Sequence, residues 1–291
     1  MLRSMYSGIG GMRGFQTKLD VIGNNIANVN TVGFKKSRVM FQDILSQTVA
    51  GGSAANVGGT PPTGGINPKQ IGLGSTMSAI DVVHTQGAPM TTNLPSDVAI
   101  EGNGFFVVGT STTDFLFTRA GNFTVDAEGY LVTSQGKYVL SASGEKINLL
   151  ADIGGGTPPD DKIKSYSIGQ DGTITVSVQK ADGTTTTASS SDDSTKIGVA
   201  YITNPGGLEK VGGSLYKWAP AADATNVFDD LVGLPGTSGR GLLMAGQLEM
   251  SNVDLAEEFT EMIVAQRGFQ ANSRIITTSD SILEELVNLK R

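Results

Sequence analysis

The stretch DLAEEFTEMIVAQRGFQANSRIITTSDSIL, residues 254–283, decides the fold. An apolar residue returns in it at every seventh position: Leu255, Met262, Phe269, Ile276 and Leu283. A strict repeat of seven marks a helix that packs lengthwise along another helix. A second track, Phe259, Ala265, Asn272 and Leu286, runs three or four residues off the first, and together they read as the a/d face of a coiled coil. Ser251 or Asp254 can cap the helix start, and Asp254 with Glu257 has the capping-box spacing. Glu257, Glu258 and Glu261 lie in the first turns, where the helix dipole favours acids. From Val253 to Asn288 such a helix is about 54 Å long, more than a single small domain needs.

The other end of the chain carries a matching track, Met5, Met12, Leu19 and Ile26. Gly8, Gly10, Gly11 and Gly14 fall inside that pattern, each costing roughly 1 kcal/mol against alanine. The N-terminal helix is therefore weak alone, and its glycines read as a packing face that forms only against a partner. Residues 1–38 carry a local charge of +5 and residues 249–291 one of −4, so the two ends attract. The alternatives are an ordinary helical pair closing one domain, or ends that also meet other copies of the chain.

Between the ends the pattern changes. Residues 31–75 become linker-like, with Gly, Ser, Ala, Thr and Pro dominating 51–65. From residue 76 the period falls to two. Asp97 to Ile100, a turn at Glu101 to Gly104, and Phe105 to Val108 read as a hairpin. Asn122 to Val125 with Tyr130 to Thr133, and Tyr166 to Ile168 with Thr173 to Val178, repeat the design. Thr, Ser and Asp dominate 180–195, which reads as an exposed loop. The expected fold is a mainly β core, sandwich- or barrel-like with short antiparallel strands, plus long helical termini paired as a coiled coil. Its expected domains are 1–30 with 252–291, a segment at 31–75, and a β core at 76–250.

Composition narrows the chemistry. The chain has 291 residues, a net charge of −7 and no cysteine, which argues against nucleic acid and excludes thiolate metal sites and cysteine nucleophiles. No apolar run is long enough to span a membrane. Met1 to Met12 lacks the apolar core of a Sec signal, so export by another route is expected. His84 is the single histidine and cannot form a metal triad; it reads as a surface or sheet residue. Phosphate-loop, dinucleotide and nucleophile-elbow motifs are missing. Asp160-Asp161, Asp192-Asp193 and Asp229-Asp230 sit in loop-like contexts. No enzyme activity and no cofactor are expected.

Several strings carry a family resemblance. Leu19 to Asn28, with Asn24, Asn25 and Asn28, followed by Thr31-Val32-Gly33-Phe34-Lys35, resembles the N-terminal signature of the bacterial flagellar axial proteins: rod, hook and hook-junction subunits. Asp97 to Phe106 and Phe117 to Phe123 resemble core strands of the hook and distal-rod branch. Gly246 to Asp254, with Ser251, Asn252 and Val253, then Glu261 to Ile263 and Gln266-Arg267, resembles the family's C-terminal helix.

The resemblance implies a homopolymeric helical tube, its terminal helices inside and its β modules outside. It implies export through the flagellar type III apparatus and assembly at a growing tip. The implied partners are rod, hook cap and hook–filament junction proteins, and the implied location is the basal body and hook, outside the cell. Ile282 to Leu289 resembles the end of hook proteins, whereas the chain's length is near that of the distal rod. The expected function is a hook subunit that bends while transmitting torque; the alternative is a stiff distal rod subunit. The tract at 51–65 is the candidate for intersubunit adaptation.

Overall fold

The computed structural model describes residues 2–54, 64–156, 161–180, 183–190, 192–223 and 227–289. The chain divides into two compact units. One comprises residues 1–27, 37–82 and 254–291; the other comprises 28–36 and 83–253.

The first unit is built on two helices, Leu2–Ala27 and Leu255–Asn288. Asp254 caps the second, its side chain accepting from the N–H groups of Ala256 at 2.8 Å and Glu257 at 3.4 Å. The N-terminal helix persists through five glycines, and at Gly8, Gly10, Gly11 and Gly14 its neighbours come close. A Cβ on Gly8 would touch the Asn272 carbonyl and Ile276, each at 3.6 Å. One on Gly11 would stand 2.7 Å from the Asn272 amide, and one on Gly14 2.7 Å from the Phe41 ring. The C-terminal helix reciprocates at Gly268, where a Cβ would lie 2.6 Å from the Phe15 ring. The expected glycine packing face is thus present within one chain.

Residues 37–82 are more than a linker. Ser37–Asp43 pairs antiparallel with Ser75–Val82, and Ser46–Ala50 pairs with Lys69–Gly72. Composition concealed these ladders because backbone hydrogen bonds need no large side chain. The centre of the tract at 51–65, residues 55–63, lies outside the described residues.

The second unit is antiparallel β. In its main sheet the strand order runs Glu209–Gly212, Leu215–Lys217, Phe115–Thr118, Phe105–Gly109, Tyr138–Val139, Leu131–Thr133, Phe123–Val125. Val199–Ala200 joins it on Phe105–Gly109 and pairs in turn with Val232–Gly233. A three-stranded sheet holds Lys162–Ile168, Ile174–Gln179 and Thr185–Ser189. The core gathers Ile100, Phe106, Val108, Phe123, Ile174, Val176 and Leu243, with Phe106 and Phe123 edge to face at 5.1 Å.

Two local expectations fail. The Asp97–Val108 hairpin does not form: Val98–Glu101 pairs with Leu242–Ala245 instead. Gly102 and Gly104 take φ of 102° and 138°, and the chain between the two runs does not close the short ladder. The expected loop at 180–195 contains the strand Thr185–Ser189, since threonine favours strands even where composition suggests solvent. Residues 181, 182 and 191 lie outside the described residues.

Gly268→Leu would force a branched side chain into the Phe15 ring. It is expected to cost about 1–3 kcal/mol. Denaturant melts followed by helical circular dichroism measure this, and an unchanged midpoint would contradict the packing described.

Candidate functional site: the terminal helices and a buried charged anchor

On the helices, the most enclosed positions lie off the main apolar tracks, and on the C-terminal helix they fall in the phase of Ala265 and Asn272 from the second track. Met5, Met12, Leu19 and Ile26 are half-buried, while Gly8, Gly14, Ile22 and Asn25 are fully buried. On the C-terminal helix Met262, Ile276 and Leu283 are half-buried, and Leu255 and Phe269 are exposed at 40% and 37%. The enclosed residues are Glu258, Ala265 and Ser279, with Asn272 half-buried in the same seven-residue phase. Polar character hid Glu258 and Ser279 from an apolar search, which chose Phe259, one position away and 50% exposed.

Asn25 shows why a polar residue belongs in this seam. Its amide donates to the Ser37 carbonyl at 2.9 Å and to Glu258 Oε2 at 3.2 Å, and its Oδ1 accepts from the Ser37 N–H at 3.0 Å. All its bonds are satisfied in place, as a buried amide requires. Lys18 and Glu261 form an ion pair farther along the same helices.

In the β unit the remaining signature residues surround a buried cluster of charge. The Glu249 carboxylate, 1% exposed, pairs with fully enclosed Lys35, accepts from Arg119 Nη1 at 3.2 Å and accepts from the Gly87 N–H at 3.0 Å. Lys35 also donates to the Thr85 carbonyl at 2.7 Å, and Arg119 donates to the Gly102 carbonyl at 2.9 Å. Gly33 donates its N–H to the Glu249 carbonyl at 2.8 Å. It has φ of 67°, and a Cβ there would lie 2.5 Å from the Ala120 nitrogen. The Phe34 ring lies under Lys210 Nζ at 4.6 Å. Asn252 accepts from the Lys36 N–H at 2.8 Å and donates to the Val83 carbonyl at 2.8 Å. Ser251 is buried with its hydroxyl unpartnered, and Val253 is half-buried.

Asn24 lies exposed on the N-terminal helix, in the first unit, and Asn28 accepts from the Thr31 hydroxyl at 3.1 Å at the start of the second. Gly33, Phe34, Ser251 and Asn252 are thus gathered in one unit, while Asn24 and Asn25 serve the other.

His84 is half-buried and lies outside the strands. Its ring packs against Phe105 at 5.6 Å and Tyr216 at 5.3 Å, and both ring nitrogens are shielded from solvent. Burial, then the positive charges of Lys35, Arg119 and Lys210, push its pKa down to about 4, so it is neutral near pH 7. Burial also lowers Lys35, against the pull of Glu249, and raises Tyr216. Among the described residues no group of three or more His, Asp or Glu is placed to hold a metal ion. No described helix is long and apolar enough to cross a membrane.

A helix pair with apolar residues left on its outside, in a chain whose β unit uses its buried charges for packing, has the parts of a structural assembly subunit. Three family models match the chain: flagella basal body rod protein over residues 5–35, flagellar hook protein FlgE/F/G D1 domain over 99–176, and flagellar basal body rod FlgEFG protein C-terminal over 244–289. The chain belongs to the flagellar rod and hook axial protein family. It is 52% identical to the flagellar basal-body rod protein FlgG of Bacillus subtilis, with 100% of both chains covered. It is 37% identical to FlgG of Borreliella burgdorferi over 295 positions, again with 100% of both covered. Against the flagellar hook protein FlgE of that organism it is 31% identical, with 100% of both covered along an alignment of 451 positions.

Removing the carboxylate in Glu249→Ala strands two buried cations and is expected to destabilise the β unit by about 3–5 kcal/mol. Denaturant titration followed by near-ultraviolet circular dichroism reads this; a loss under about 1 kcal/mol would mean that the cluster is well solvated. His84 has a folded pKa of about 4 against an ordinary 6.5, so its contribution is fully present above pH 6.5 and is lost as pH falls toward 4. On the order of 3 kcal/mol is at stake. Stability measured across that window should fall less steeply in His84→Gln, and parallel curves would refute the assignment.

Proposed function

We propose that this chain is a distal rod subunit of the flagellar basal body, a stiff element of the drive shaft, polymerised as a helical tube. The carrying observation is its end-to-end identity of 52% with a basal-body rod protein of matching extent. The hook relative, by contrast, needs an alignment far longer than this chain. That favours the rod over the hook, which the closing residues Ile282 to Leu289 had suggested.

In this reading residues 1–30 and 252–291 form the assembly domain, with 76–250 outside it and 31–75 between. The helices pair as a coiled coil, and the track Leu255, Met262, Phe269, Ile276 and Leu283, with Met5, Met12, Leu19 and Ile26, mediates packing within and between copies. Exposed Phe259, Ile263, Ile275 and Ile282 support this, since large apolar groups on a helix face seek cover. Contacts that repeat without closing generate a helical polymer. Export through the flagellar apparatus and contact with neighbouring rod and hook proteins follow from the same reading.

Electron microscopy of basal bodies from a deletion strain tests it. A rod truncated before its distal end is expected, and complementation with Phe269→Asp should leave it truncated while the purified variant keeps its β circular dichroism. A complete rod lacking only the hook would restore the hook reading.

A further inference from the structure

The C-terminal helix, Leu255–Asn288, carries its charges in three blocks. Glu257, Glu258 and Glu261 open it, Arg267 and Arg274 hold its middle, and Asp280, Glu284 and Glu285 lie near its end. The first block is engaged within the chain: Glu258 accepts from Asn25, Glu261 pairs with Lys18, and Glu257 is engaged as well. The other two blocks differ. Arg267, Arg274, Asp280, Glu284 and Glu285 are all exposed, and among the described residues none of their charged groups has an ion-pair or hydrogen-bond partner.

These charges cannot satisfy one another within the helix, where only residues three or four apart meet. Arg274 and Asp280 are six apart and point to different sides. At 3.6 residues per turn Arg267 and Arg274 form one row, on the side away from enclosed Ala265 and Ser279. Asp280 and Glu284 form a second row, about a third of a turn round the helix. An open depression of about 530 Å³ lies along the first row, lined by the two arginines, Gln270 and Ala271. Rows of opposite sign on different sides of one helix suit a head-to-tail contact, since a copy offers each row to a different neighbour.

We infer that the Arg267–Arg274 row is the docking surface for Asp280 and Glu284 of a second copy of this chain. The two helices then run parallel with a stagger of about 10–13 residues, which is about 15–20 Å. Exposed ion pairs contribute little net stability, so apolar cover supplies the affinity and the charges select the stagger. The contact rests on the proposal that the chain polymerises.

The test uses the full chain in a deletion strain. Arg267→Glu with Arg274→Glu sets like charges against each other between copies, and so does Asp280→Arg with Glu284→Arg. Each variant alone is expected to be lost from isolated basal bodies. Produced together they are expected to return, because each reversed row finds its complement on the other variant. Incorporation of either variant alone at the level of the unaltered chain would overturn the contact. So would failure of the pair to restore assembly while both keep their circular dichroism. If a variant does not fold, a disulfide decides. The chain has no cysteine, so Gln270→Cys with Ser281→Cys, which the stagger brings together, reports only its own pairing. Oxidised basal bodies are expected to give a ladder of linked chains, and an unlinked band alone would overturn the contact. Absence of the unaltered chain from basal bodies is a separate result, which would sink the polymer reading and the contact with it.

Discussion

Glu249 is the group on which the β unit's organisation turns. A buried carboxylate is tolerable only when its oxygens are fully engaged, and here three donors converge on it: Lys35, Arg119 and the Gly87 N–H. Those donors come from the segment after the N-terminal helix, from the loop after the strand Phe115–Thr118, and from the turn before Pro89–Thr91. Gly87 has no room for a side chain, because the Met250 carbonyl occupies the space a Cβ would take. One anion thereby fixes the mutual placement of the segments that lead into both terminal helices. Asn252 adds a second, uncharged tie between residues 36, 83 and 252.

The helices follow a different logic. Their enclosed positions are mostly polar or small, Glu258, Ala265 and Ser279 on one helix and Gly8, Gly14 and Asn25 on the other, with Ile22 a large apolar exception. Such a seam specifies register through hydrogen bonds and close approach, while contributing little apolar burial. Large apolar groups are left outside, at Phe259, Ile263 and Ile282 among others. A helix arranged this way is specific toward its own partner and still carries unburied surface.

Much of this was legible in the sequence. The heptad period and the Asp254 cap announced the long helix, and Asn122 to Thr133 announced a hairpin that the structure contains as Phe123–Val125 with Leu131–Thr133. Contacts that depend on distant residues were not legible. Val98–Glu101 looked like one arm of a local hairpin, but its partner Leu242–Ala245 is far along the chain. Lys35, Arg119 and Glu249 each look like ordinary solvated charges when read singly. Nothing local distinguishes them, and only the fold brings them together. The enclosure of the single histidine's ring nitrogens escaped notice for the same reason, since its aromatic neighbours at 105 and 216 are not near it in sequence.

The tie between Lys36 and Asn252 spans 216 residues, and it has a consequence in time. Closing a flexible loop of that length costs on the order of 5 kcal/mol in chain entropy. The helix contact from Asn25 to Glu258 spans 233 residues and would face the same cost if it formed first. Once the β unit has folded, residues 36 and 252 are already adjacent, and only short tethers remain to be closed. A folded β unit thus lowers the closure cost of the helix pair, and a pair that buries little apolar surface within one chain can open locally at small cost.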